Sequence, residues 1–246
     1  MTVLRAVLFD LDGVLTPTAE VHMRAWERLF APWTAERGLA PYTDADYFAH
    51  VDGRPRYDGV AAFVASRRVD LPHGTPEDPP GDGTVCALGN RKDEILRRLL
   101  ADEGVTPYPG AVRFLDAVTA AGAEVAVVSS SRNTPTVLAA AGLAERFPVV
   151  VDGHVAAREQ LAGKPAPDTF VRAAELLGVE PLDAVVVEDA VSGVEAGRAG
   201  GFGLVVGVDR GVGPDALRSA GADVVVADLG DLDARELLAR GAGVRS

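Results

Sequence analysis

The chain has 246 residues, enough for a core domain carrying one sizeable insertion. Hydrophobic residues make up 48% and charged residues 24%, an ordinary globular composition, and a formal net charge of −12 makes nucleic acid and anionic membrane surfaces poor partners. Cys86 is the sole cysteine, so no intrachain disulfide can form and a cytoplasmic location is expected.

In chain order, Val3–Phe9 is a short apolar run that ends in aspartate. It is too short for a signal peptide and lacks a small-residue cleavage site, and no apolar stretch in the chain reaches the length of a membrane span. Amphipathic helices are predicted over Thr18–Phe30 and Asn90–Glu103, with a shorter one over Tyr57–Arg67. Leu71–Gly89, rich in proline and glycine, reads as a loop. Strands follow at Glu124–Val128, Val149–Val151, Ala184–Val187, Leu204–Val208 and Asp223–Val226, and helices are expected over Ala111–Ala121, Pro135–Ala141 and Asp168–Leu177. A last helix is expected after Ala234.

Unbroken valine-rich runs suit strands buried on both faces, as in a parallel sheet. The alternation therefore predicts an α/β fold, a doubly wound parallel sheet, from residues 1–16 and 106–246. Residues 17–105 form a helical insertion after the first strand.

Four strand-end or loop motifs carry candidate chemistry. Phe9-Asp10-Leu11-Asp12-Gly13 places two carboxylates at the end of a buried strand, where open α/β sheets bind ligands. One could remain ionised as nucleophile while the other donates a proton. Val128-Ser129-Ser130-Ser131-Arg132-Asn133 offers a hydroxyl and backbone N–H groups for phosphate. Gly163-Lys164-Pro165 holds an ammonium on a stiff loop. Val187-Glu188-Asp189 supplies hard oxygen donors of the kind Mg²⁺ takes. Read singly, each has a structural explanation as well: an Asp-rich turn, an N-cap, a solvated lysine, a capped turn, with Asp168 capping its helix. Their combination and order point to a shared site.

With these motifs the sequence resembles the haloacid dehalogenase superfamily of phosphohydrolases, the insertion falling where that family has a helical cap. The resemblance implies Asp10 as nucleophile, Asp12 as general acid/base, and Ser129 and Lys164 holding the transferring phosphoryl group. It implies Mg²⁺ bound by Asp10, the Asp12 carbonyl and Asp189, with Glu188 beside it. Thr18–His22 with Arg24–Trp26, Val51-Asp52-Gly53 with Arg56, Arg91-Lys92, Ser129–Asn133 and Lys164–Phe170 resemble the β-phosphoglucomutase branch. There Arg56, Ser131 and Asn133 would grip the far phosphate of a phosphorylated sugar, and Thr18, His22 and Lys92 would couple cap closure to the placement of Asp12. Gly53 and Ser130 join this substrate-binding set. Ser130 departs from the small apolar residue usual there, and the 71–89 loop has no counterpart in compact members.

His22 and Trp26, four apart, could instead pack on one helix face, and Arg56 and Lys92 could be solvated cations. The expected activity is interconversion of β-D-glucose 1-phosphate and glucose 6-phosphate by a monomer. A phosphatase on small phosphorylated metabolites is the alternative, and a non-catalytic phospho-ligand sensor a more distant one.

Overall fold

The computed structural model describes residues 4–51 and 54–239. The first strand, β1 (Ala6–Phe9), is followed by α1 (Thr18–Glu36), the short α2 (Asp44–Asp46) running into a π-helical turn Tyr47–Val51, α3 (Arg56–Ser66) and α4 (Val85–Glu103). The rest alternates: α5 (Pro109–Ala120), β2 (Glu124–Val128), α6 (Thr134–Ala140), β3 (Val149–Val151), α7 (Gly153–Glu159), α8 (Asp168–Leu177), β4 (Ala184–Glu188), α9 (Val191–Ala199), β5 (Leu204–Val208), α10 (Pro214–Ala220), β6 (Val224–Val226) and α11 (Ala234–Ala239). The described residues fall into two compact units, residues 4–17 with 105–239, and Thr18–Gly104.

In the first unit all six strands are parallel, in the order β3-β2-β1-β4-β5-β6. Residues 6–9 and 184–188 are buried throughout, as expected for strands covered on both faces. The strand order reverses at β1, so its C-terminal end lies at the topological switch point. The register sets the levels: Phe9 lies opposite Val127 of β2 and Val187 of β4. Asp10, Val128 and Glu188 therefore emerge side by side at one sheet edge.

The second unit packs α1 against α4 around an aromatic core of Trp26, Phe30, Trp33, Tyr47 and Phe63. Phe30 stacks on Trp26 with centroids 5.3 Å apart and lies 4.0 Å from Phe63.

Several boundaries differ from expectation. Helix α1 passes through Pro32 to Glu36 because buried Phe30, Trp33 and Thr34 lock its last turns into the core, outweighing the lost backbone donor. The 71–89 loop ends at Thr84, whose hydroxyl accepts from the Ala87 amide at 3.0 Å and starts α4 five residues early. Asp168 does not cap α8: it stands inside the first turn, and its Oδ2 accepts from the Ala162 amide at 3.1 Å, tying down the loop that carries Lys164. The sequence reading passed over α7, α9 and α10, which are short, and α9 carries Gly193 and Gly197 inside it.

Candidate active site

Asp10 continues the β1 ladder, its amide donating to Val187 O at 2.9 Å, and its carboxylate is almost wholly buried. Lys164 reaches it from the loop before α8, with Nζ 2.5 Å from Asp10 Oδ1, 2.5 Å from Glu188 Oε1 and 3.3 Å from Val128 O. One ammonium thus ties together the ends of β1, β2 and β4. The ammonium also lies over the Phe170 ring, with Nζ 4.8 Å from its centroid.

Glu188 divides its oxygens between two tasks. Oε1 meets Lys164, while Oε2 accepts from the Asp189 and Ala190 amides at 2.9 and 3.0 Å and so caps the start of α9. This fold-back requires Gly193, because a Cβ there would sit 1.8 Å from Glu188 Oε1. Gly13 does the same for Asp189: its φ is +89°, and a Cβ would lie 2.0 Å from Asp189 Oδ2.

Ser129 is buried, accepts from the Ser131 amide at 3.1 Å, and its hydroxyl stands 3.5 Å from Asp12 Oδ2. Ser131 Oγ accepts from the Asn133 amide at 3.1 Å, which tightens the turn into α6. Asn133 makes no side-chain cap bond there, and Ser130 is exposed. Asp10, Asp12, Ser129, Lys164, Glu188 and Asp189 are thus gathered at one sheet edge, with Ser131 and Asn133 in the adjoining turn.

The electrostatics are lopsided. Four carboxylates share one lysine. Burial pushes the Asp10 carboxyl up to about 8, with Lys164 opposing and Glu188 and Asp12 adding to the rise. Burial, then the charges of Glu188, Asp10 and Asp12, push Asp189 up to about 9. For Lys164 burial acts downward, but Asp10 and Glu188 outweigh it and raise the ammonium above its ordinary range. Buried charge of this kind is a poor source of stability and a common mark of a working site. Asp10, Glu188 and Asp189 each offer an oxygen within 4.8 Å of the others. This hard-oxygen set with surplus negative charge fits a divalent cation.

The remaining expected residues belong to the helical unit. Lys92 is buried rather than solvated: its Nζ lies 3.1 Å from His22 Nδ1 and 5.0 Å from the Trp26 ring centroid. Thr18 is buried at the start of α1. Arg56 is held by Asp93 at 2.6 Å and lies over the Tyr57 ring at 5.0 Å, so it is a fixed cation rather than a loose surface one. Gly53 lies outside the described residues.

Sequence reasoning missed Asp93, Asn90 and Arg210. Asn90 accepts from Tyr57 Oη at 2.8 Å and donates to Pro76 O at 3.0 Å and Asp78 O at 2.8 Å, pinning the 71–84 loop to α3 and α4. Arg210 donates to Gly13 O, directly after the Asp10–Asp12 pair. None of these contacts has a short-range sequence signal.

The chain matches the haloacid dehalogenase-like hydrolase family over residues 4–201, and it belongs to that family. It is an enzyme of that superfamily, an isomerase or a phosphatase, and membership together with the acidic cluster implies a divalent metal. Among individual proteins, it is 53% identical over 238 residues to β-phosphoglucomutase of Mycobacterium bovis, covering 93% of this chain and 91% of that one. It is 32% identical over 201 residues to hexitol phosphatase A of Escherichia coli, covering 82% of each chain. A crystal structure of a HAD family hydrolase from Deinococcus radiodurans with bound phosphate and sodium matches with a TM-score of 0.70 and 30% identity, covering 98% of this chain and 97% of that one.

Proposed function

We propose that the chain is a Mg²⁺-dependent phosphosugar mutase that interconverts β-D-glucose 1-phosphate and glucose 6-phosphate through a phosphorylated Asp10. The observation that carries this reading is the convergence of Asp10, Lys164, Glu188 and Asp189 around one small volume, with Asp12 beside Ser129. The 53% identity to a β-phosphoglucomutase favours the mutase over other phosphoryl transfers.

Asp10 attacks phosphorus in line with the leaving oxygen. The bond to that oxygen breaks, its electron pair stays on the oxygen, and Asp12 supplies the proton. Lys164 and Ser129 hold the equatorial phosphoryl oxygens as charge redistributes over them. Asp10, the Asp12 carbonyl and Asp189 would hold Mg²⁺, with Glu188 alongside, and the ion would supply charge neutralisation for the transferring group. With the C1 phosphate of the sugar bisphosphate as donor, this half releases glucose 6-phosphate and leaves the phosphoaspartate. In the return half, Asp12 takes the proton of the C6 hydroxyl of β-glucose 1-phosphate, whose oxygen attacks the phosphoaspartate; the bond from phosphorus to Asp10 breaks, Asp10 is freed and the sugar bisphosphate is regenerated.

Arg56, Ser131 and Asn133 would hold the phosphate not in transfer. Thr18, His22, Lys92, Gly53 and Ser130 complete the substrate-binding set. Residues 17–105 would act as a cap that excludes water from the phosphoaspartate.

Similarity to hexitol phosphatase A supports a second reading, in which water takes the phosphoryl group. Incubation with β-glucose 1-phosphate, Mg²⁺ and a trace of the bisphosphate as primer separates the two. The mutase yields glucose 6-phosphate in excess of inorganic phosphate; the phosphatase yields inorganic phosphate and glucose.

A further inference from the structure

We propose that Arg210 is a positioning residue for Asp12, holding the 11–16 loop so that the general acid/base stays aimed at the scissile oxygen. This rests on the acid/base role proposed for Asp12 and goes beyond it. The loop turns sharply. Gly13 N donates to Thr16 O at 2.7 Å, and Thr16 Oγ1 and the Thr16 amide both donate to Leu11 O, at 3.2 and 3.1 Å. Its weak point is Gly13, which directly follows Asp12 and has a φ of +89° with no side chain to restrain it.

Arg210 acts on that point. It lies 197 positions away in sequence, just past β5, and its Nε donates to Gly13 O at 2.8 Å. Its Nη1 donates to Ala227 O at 3.0 Å, just past β6, and its guanidinium plane lies 3.8 Å over the Tyr108 ring. Tyr108 in turn donates its amide to Leu15 O at 2.9 Å. The guanidinium thus bridges the ends of β5 and β6 to the loop, and the ring beneath it is bonded to the loop's far side. Asp189 lies within the space that Gly13's missing side chain leaves, so a fixed Gly13 also fixes the loop against that carboxylate.

Arg210 Nη2 is buried without a hydrogen-bond partner among the described residues. A buried unbonded donor costs stability, so the arrangement is better explained by what it positions than by what it stabilises. A planar, two-directional donor that also stacks is a task for arginine rather than lysine.

General-acid help matters most when the leaving oxygen is strongly basic and least when it leaves readily. The test compares kcat/KM for β-glucose 1-phosphate, with Mg²⁺ and a trace of the sugar bisphosphate present, and for p-nitrophenyl phosphate with Mg²⁺. It uses the wild type, Arg210→Gln, Arg210→Lys and Asp12→Asn, each checked for its circular dichroism and melting temperature. Arg210→Gln should lose about 10²-fold on the sugar phosphate, the scale of an ångström-level misplacement, and about threefold or less on the aryl ester. Arg210→Lys should recover part of the sugar-phosphate activity. Asp12→Asn should show the same selectivity with a larger loss.

If Asp12→Asn is selective while both Arg210 variants lose equally on the two esters, or lose nothing, the positioning role is wrong. If Asp12→Asn itself shows no selectivity, the acid role of Asp12 fails and takes this inference with it. Should Arg210→Gln not fold, the Arg210→Lys comparison decides alone.

Discussion

Two buried lysines show how differently the two units hold a charge. Lys164 of the α/β unit is gripped by Asp10 and Glu188, both placed by the ends of adjacent parallel strands. Lys92 of the helical unit rests against His22 and the face of Trp26, both carried by α1. The first arrangement is fixed by backbone register: once Phe9 pairs with Val187, Asp10 and Glu188 must stand together. The second depends on how α1 packs on α4. The cluster proposed for phosphoryl transfer is thus tied to sheet register, while the Lys92 cluster rests on side-chain packing between two helices.

The largest effect expected of this division is at Asp10. Asp10→Asn should lower turnover by more than about 10⁴-fold while leaving circular dichroism unchanged, since the proposed covalent step would lose its nucleophile. Activity near that of the wild type would mean that the strand-end carboxylate is not the nucleophile.

Metal affinity should follow pH. Without a cation, burial raises the Asp10 and Asp189 carboxyls above the usual carboxylate range, with neighbouring carboxylates adding to the rise. Mg²⁺ bound as proposed would favour their ionised forms, so affinity should rise, and protons should be released on binding, across the pH range in which they ionise. Isothermal titration across that range, in two buffers of different ionisation enthalpy, reads both affinity and proton release. A flat profile with no proton release would place the ion elsewhere.

In the helical unit, Arg56→Ala should raise KM for a sugar bisphosphate by about tenfold or more, the scale of one lost charge-assisted contact, while sparing p-nitrophenyl phosphate. Equal loss on both would remove the reason for assigning Arg56 to the far phosphate. Thr84→Ala removes the cap of α4 and its bond to Asp78, and should cost about 1 kcal/mol in urea unfolding. An unchanged midpoint would show that the cap bond adds nothing.

Much of the α/β unit was legible in the sequence because its strands are unbroken apolar runs that stop at an acid or a serine. That pattern, taken with the order of the four motifs, singled out Asp10, Ser129 and Glu188 as candidates. Helix α9 carries Gly193 and Gly197 inside it, which weakens its helical signal. Gly193 makes room for the Glu188 carboxylate, and a Cβ on Gly197 would stand only 3.1 Å from Val186. Arg210 sits in the stretch Asp209-Arg210-Gly211-Val212-Gly213, which looks like an ordinary surface turn until folding brings it to Gly13. Asp93 looked like one more charge on a helix face, and only the packing of α3 beside α4 gives it Arg56 as a partner. Strand ends announce themselves locally. Contacts between distant elements do not.

The most direct test of the central claim is to acid-quench the enzyme during turnover of β-glucose 1-phosphate with Mg²⁺ and a trace of the sugar bisphosphate, and map the phosphorylated peptide by mass spectrometry. A phosphoryl group on Asp10, absent from the Asp10→Asn protein, is the expected result. Steady turnover with the label on another side chain, or with no labelled peptide in repeated rapid quenches, would contradict it.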